Sequence, residues 1–374
     1  MKILYLTTHV EASDFQILAS QASIAPNPAG QNFHGKLIDA LAEFDEVNVV
    51  SLIPNSENIL SEKTIPPYRN RGYRYIAPPS SRIAKRLFLH KRIAKEACKE
   101  DADVVLYDSL NLTLARASRI IAAKLNIPRI AICTDDPANI SFAPQTYKEQ
   151  VISLSKKADG YFALTEGLVE LFNENRRPSL VRPGIIKRTD VPPEIMEKPY
   201  IYYGGALFIK DGTKDLIDGY ISAKPNLNLI IAGHGPFEGA VIAATKANKN
   251  ILYLGQISEQ ENIAYQKGAA LLVNPRLYNG KLDRVSVPSK VLEYLTNGKY
   301  IASTKSTSLF EDFEPDINWI GDEESFGHFL NRHLTPNGDL IDLKENKSQE
   351  ILDSRYGLEA IGRSLHSFLE SFKG

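Results

Sequence analysis

Short apolar runs alternate with helical segments along nearly the whole chain, and few folds tolerate that pattern. Residues 2–7, 47–52, 104–107, 129–133 and 160–164 read as strands, with helices near 33–44 and 145–157 among them. Such repetition of strand and helix means a parallel, doubly wound sheet. Between residues 182 and 199 the pattern breaks at Pro183, Gly184, Pro192, Pro193 and Pro199, the composition of a linker. It restarts with strands at 200–203, 227–232, 251–254 and 270–273 and helices at 215–222 and 259–267. The expected fold class is α/β, with two doubly wound parallel-sheet domains, 1–188 and 189–347, facing each other across a cleft. A long amphipathic segment, 348–374, is expected to pack back on the first domain.

Composition agrees with that architecture and removes several function classes. At 374 residues the chain is too long for one core. Its 43% hydrophobic and 24% charged residues are those of a soluble globular protein, and the net charge of -1 gives no global reason to expect nucleic acid. Cys98 and Cys133 lie far apart without metal-ligand spacing, which fits a reducing cytoplasm. No apolar run approaches the roughly 18 residues that span a bilayer, and residues 1–6 lack the basic head of a signal peptide. The expectation is a protein that stays inside the cell.

The stretch SVPSKVLEYLTNGK, residues 286–299, carries the first candidate site. Pro288 presets a first helical turn, Ser286 is placed to cap it and Gly298 to supply a left-handed stop. Lys290 and Glu293 share one face, with Val291, Leu292 and Leu295 on the other. A helix start carries unpaired N–H groups and partial positive charge, so Ser289 and Lys290 in its first turn make a seat for phosphate. Glu293 is placed to accept hydrogen bonds from sugar hydroxyls. Upstream, Gly204 and Gly205, then Gly233, His234, Gly235 and Pro236, then Gly255 to Ser258, then Asn274 to Arg276 each follow an apolar strand. Turns at the carboxyl ends of parallel strands are where open α/β sheets bind nucleotides.

This succession resembles the GT-B glycosyltransferases, in particular the retaining family 4 (group 1) enzymes that build bacterial surface polysaccharides. The resemblance rests on P-x-K-x-x-E-Y-L-x-x-G from Pro288 to Gly298 with the G-x-G-P loop before it, and covers the second domain more strongly than the first. It implies two Rossmann-like domains, a nucleotide-diphosphate sugar as donor substrate, retention of configuration, and neither metal nor resident cofactor. Carried across, Lys290 holds the pyrophosphate, Glu293 the ribose, and Lys210 a phosphate beyond the turn at Gly204. Gly233 and Gly235 lie beneath the nucleotide, Ile257 meets the base, and Gly30, in the loop after the first strand, faces the donor phosphates. Asp108 takes the place often held by an active-site His. Two positions depart from the pattern. Gly205 stands where the family commonly has Arg, and Val285 where it has a second acid, leaving Arg276, Lys281 or Arg284 to supply charge in that loop.

Other residues admit competing readings. Asp108, Asp135, Asp136, His9 and His234 are candidates for a general base, though Asp at a strand end often caps the next helix. Asp101 and Asp103 form a D-x-D pair that reads as a solvated turn before a strand. Residues 69–99 carry ten Lys and Arg against Glu96 alone, interleaved with Tyr73, Tyr75, Leu87, Phe88 and Leu89. That is a basic amphipathic helix suited to an anionic membrane surface or, more simply, a solvated face. The expected function is glycosyl transfer to a lipid-linked or growing glycan acceptor, at the inner face of the membrane. The alternatives are a non-catalytic GT-B-like subunit that binds a glycan or partner transferase, and a nucleotide-sugar epimerase.

Overall fold

The fold is seen in a computed structural model that describes residues 1–11, 14, 28–53, 72–79, 81–140, 143–276, 280–305 and 310–373, without the side chains at 28–30, 82, 281–282 and 310–311. The chain divides into two compact units. The first comprises Met1–Ile185, Arg284–Ser286 and Arg355–Gly374, and the second Ile186–Asp283 and Val287–Ser354.

In the first unit, β1 (Lys2–Thr7), β2 (Glu46–Leu52), β3 (Tyr73–Ile76), β4 (Val104–Asp108), β5 (Arg129–Cys133), β6 (Gly160–Ala163) and β7 (Ser179–Val181) form a seven-stranded sheet in the order β3-β2-β1-β4-β5-β6-β7. In the second, β8 (Tyr200–Gly204), β9 (Asn228–Ala232), β10 (Ile251–Tyr253), β11 (Leu271–Asn274), β12 (Ile301–Thr304) and β13 (Asn318–Ile320) form a six-stranded sheet in the order β10-β9-β8-β11-β12-β13. Every pairing between these strands is parallel. Each sheet has its own core. Tyr5, Leu37, Leu106 and Ile132 are fully buried in one, and Tyr203, Leu229, Val273 and Phe326 in the other. The strand order reverses between β1 and β4 and again between β8 and β11, so the connections diverge there and leave a crevice at the carboxyl edge.

Several local expectations are corrected. The 348–374 segment is not one helix: Gly357, in extended conformation, separates Gln349–Tyr356 from Leu358–Glu370. Only the second of these lies wholly in the first unit, where Ile361, Leu365 and Leu369 enter the core and Gly362 lets the helix approach the Ala40 carbonyl. Within the basic stretch, Tyr73–Ile76 forms a strand, β3, and residues 82–97 are helical, while Arg69 and Arg71 lie outside the described residues. The first long helix runs Pro28–Ala42, so Gly30 sits in its opening turn and not in a loop. Ser289–Asn297 is helical as expected, but no side chain caps it, Ser286 included, and Gly298 is extended rather than left-handed. A side chain at Gly298 would strike Leu272, so close packing accounts for the glycine.

Candidate functional site

At the reversal in the second sheet, the turns that follow β8, β9 and β10 are laced by backbone. Gly205 N–H donates to the Ala232 carbonyl (3.0 Å), Gly233 to Gly255 (2.7 Å), and Leu207 to His234 (3.1 Å). Gly233 has φ +132° and its missing side chain leaves room for the Gly205 carbonyl, so two backbones meet where any Cβ would collide.

Helix Ser289–Asn297 closes this floor. Lys290, in its first turn, lays its Nζ 3.9 Å from the centre of the Tyr203 ring and against Gly205, where a Cβ would stand only 2.5 Å from the ammonium. One turn on, the fully buried Tyr294 hydroxyl accepts the Gly204 N–H at 3.0 Å. Burial holds that phenol well above its usual pKa, so it keeps its proton. Glu293 is half-buried beside it, close enough to raise the Tyr202 and Tyr294 phenols after the larger effect of burial. Lys290 and Tyr294 thus share the face that packs on β8. An ammonium, a helix start without a side-chain cap and a laced glycine turn together favour an anion, with a carboxylate one turn away for hydroxyl groups.

The remaining residues of this unit are more scattered in role. Ser289 is exposed at the first helical position, and Ile257 is half-buried just before Ser258, which caps helix Glu259–Gly268. His234 is exposed, its Nδ1 2.5 Å from the Glu238 carboxylate four residues on. Lys210 is exposed on the short turn Ile209–Asp211, its ammonium 5.4 Å from the centre of the Phe208 ring. Arg276 is paired at 3.7 Å with Asp283, a buried acid that sequence reading passed over. Arg284 is held in the first unit, its guanidinium on Glu170 (2.5 Å) and its carbonyl accepting from Thr165 (2.7 Å). The Lys281 side chain lies outside the described residues.

At the reversal in the first sheet, Asp108 is the last residue of β4, beside the end of β1, and is 8% exposed. Its Oδ1 accepts the Leu110 N–H at 3.0 Å, and burial, partly offset by that bond, raises the carboxyl to about 6. His34, which sequence reading did not single out, brings its Nε2 to 3.8 Å from the Asp108 Oδ2. Burial lowers His34 to about 4, so at neutral pH the ring is uncharged and the contact is a dipole on a carboxylate, not a salt bridge. The only hint in the sequence is position: His34 lies one helical turn beyond Gly30. Gln31 clamps the loop after β1, accepting from Val10 N–H (2.8 Å) and donating to the Thr8 carbonyl (2.9 Å).

The other candidate bases are committed locally. Asp136 accepts the Ala138 N–H at 2.7 Å to cap the turn Pro137–Asn139, and Asp135 accepts from Asp136 N–H and the Asn139 amide, both at 2.8 Å. The His9 Nδ1 is 2.8 Å from the Tyr73 hydroxyl. Asp101 pairs with the Lys2 ammonium and Asp103 accepts the Lys2 N–H, both at 2.8 Å, so the D-x-D pair fastens the start of β1. Among the described residues no group of three or more His, Cys, Asp or Glu is placed to hold a metal ion.

No protein-family model and no curated protein sequence matches the chain. Solved structures do resemble it. Anabaena Alr3699/HepE in complex with UDP and glucose superposes with TM-score 0.67 over 99% of this chain and 100% of that one, at 14% identity. Sucrose-phosphate synthase from Thermosynechococcus elongatus gives TM-score 0.68 over 99% of both chains at 12% identity. UDP-GlcNAc 2-epimerase from Methanocaldococcus jannaschii gives 0.55 over 99% of this chain and 100% of that one, at 13% identity. At such identities the likeness establishes the fold: two parallel-sheet α/β domains of the GT-B type.

Proposed function

We propose that the chain is a retaining glycosyltransferase that moves a sugar from a nucleotide-diphosphate sugar to a lipid-linked or growing glycan acceptor in surface polysaccharide synthesis. The observation that carries this reading is the Lys290 ammonium laid on the glycine turn at the open start of helix Ser289–Asn297. Breaking the anomeric carbon to phosphate bond leaves negative charge on the departing diphosphate, and fixed donors aimed at that charge lower the barrier. Lys290 and the helix start supply them, with Lys210 as a second cation, and the reading needs neither metal nor resident cofactor. Glu293 binds the ribose hydroxyls and Asp108 meets the acceptor. Attack comes from the face the phosphate leaves, which retains configuration.

A surface that suits a lipid-linked acceptor lies on the helical run at 82–97, where Arg82–Ala84 passes through a π-helical turn, Lys85–Leu89, into His90–Ala97. Leu89, Ile93, Ala94 and Ala97 are buried, while Ile83 is 71%, Phe88 59% and Leu87 49% exposed among Arg86, Lys91, Arg92 and Lys95. His90 is lowered by burial and by Arg116, Lys91 and Arg119, so the positive potential extends to helix Leu112–Leu125. Apolar side chains within a cationic field suit an anionic bilayer surface. On this reading the protein works at the cytoplasmic face of a membrane, and no described helix is long and apolar enough to cross one.

A panel of nucleotide sugars incubated without acceptor tests the reading. Slow donor hydrolysis with release of a nucleoside diphosphate is expected. No turnover and no nucleotide affinity would favour a binding subunit, and an epimerised product would favour the sugar isomerase chemistry of the third neighbour.

A further inference from the structure

We propose that His34 is a positioning residue for Asp108, aiming an Nε2–H at the carboxylate because the Tyr5 hydroxyl occupies its Nδ1; the inference rests on the transferase reading only for what Asp108 then does. Tyr5 on β1 brings its hydroxyl to 2.5 Å from the His34 Nδ1, and both residues are buried. Burial and the nearby Asp108 charge keep the Tyr5 phenol protonated. An ionised carboxylate only accepts, so the single ring proton of the neutral imidazole belongs on Nε2, facing Asp108, and Nδ1 is left to accept from the Tyr5 hydroxyl. Nε2 faces the Asp108 Oδ2 at 3.8 Å, while the other oxygen is fixed by the Leu110 N–H. The Asp108 carboxylate is therefore approached by one backbone donor and one side-chain donor, and a small approach of substrate-bound Asp108 converts the second into a hydrogen bond.

The surrounding groups leave this direction of donation unopposed. Cys133 on β5 is pushed up to about 12 by burial, and the Tyr147 phenol on helix Gln145–Ser155 is also raised, mainly by burial. Both stay neutral. Tyr73 on β3 adds to the rise of the Tyr5 phenol and is bonded to His9, which lies beyond the end of β1. No cation is found in direct contact with Asp108 among the described residues, and the side chain that faces its free oxygen is the His34 imidazole.

The test is nuclear magnetic resonance of the full chain, which needs no substrate. Nitrogen-15 histidine spectra are expected to show His34 as the Nε2–H tautomer at neutral pH, and Tyr5→Phe to release that preference. Carbon-13 carboxyl spectra are expected to show the Asp108 midpoint rising by about one pH unit or more, tenfold in proton affinity, in His34→Phe, and staying near wild type in His34→Gln, which restores a donor. An Nδ1–H tautomer in the wild type overturns the proposal even if a variant fails to fold, as does an Asp108 midpoint unmoved by His34→Phe. Absence of donor turnover would defeat the transferase reading and leave these titrations untouched.

Discussion

At Gly205 the absence of a side chain is what lets the Lys290 ammonium lie against backbone and the Tyr203 ring. The expected arginine and the observed glycine are thus not equivalent gaps and fillings: the lysine occupies the notch itself. Lys290→Ala is expected to lower turnover by about 100-fold or more, the scale of losing one charge-stabilising donor, in steady-state assays with an active donor. Gly205→Arg is expected to lower affinity for a nucleoside diphosphate, measured by calorimetry, because it drives the Lys290 ammonium from its seat. The pair His34 and Asp108 also makes a signed prediction for stability. Between about pH 4 and 6 native His34 is neutral while its unfolded counterpart is protonated, so its contribution rises with pH. Over the same window native Asp108 is protonated while its unfolded counterpart is ionised, so its contribution falls with pH. The slopes oppose each other. Urea unfolding should therefore find Asp108→Asn gaining stability relative to wild type from about pH 4.5 to 6, by up to about 1.4 kcal/mol per pH unit, and His34→Gln losing it. A variant profile parallel to wild type would contradict both pKa directions.

Among the elements, the helical run at 82–97 makes the clearest prediction. Replacing Arg82, Lys85, Arg86, Lys91 and Arg92 by Gln should release the protein from anionic vesicles, at about 1 kcal/mol per well-placed cation. Replacing Ile83, Leu87 and Phe88 by Ser should instead weaken the binding that survives high salt; unchanged sedimentation with vesicles in both sets would reject membrane docking. How far each element could be read from sequence follows from what makes it. Continuously apolar strands such as Ile3 to Leu6 and Val104 to Tyr107 were legible because burial on both faces writes itself into composition. Tyr73–Ile76 was not, since its Arg74 belongs to the charge pattern around it and its partner β2 is distant in sequence. Helix Ser289–Asn297 was legible, but nothing in the sequence singled out Tyr294, because its bond to Gly204 joins residues 90 positions apart. His34 was hidden for the same reason, since its meaning comes from Tyr5 and Asp108.

At the scale of the whole molecule, sequence order and spatial order part company. Helix Leu358–Glu370 puts Ile361, Leu365 and Leu369 into the first core, at about 2 kcal/mol each by burial, a large share of the roughly 5–15 kcal/mol that holds a domain together. A fragment of residues 1–185 is expected to lose cooperative unfolding by circular dichroism, and adding residues 355–374 as a separate peptide is expected to restore part of it. A fragment as stable as the full chain would show that the helix is dispensable. The same return of the chain sets the timetable of biosynthesis. As the polypeptide leaves the ribosome, residues 1–185 must wait, one apolar groove uncovered, until helix Leu358–Glu370 emerges, whereas the unit encoded in between can close beforehand. The first core is therefore completed late, and translation stalled before Leu358–Glu370 is made would leave that groove as the natural place for a chaperone to bind.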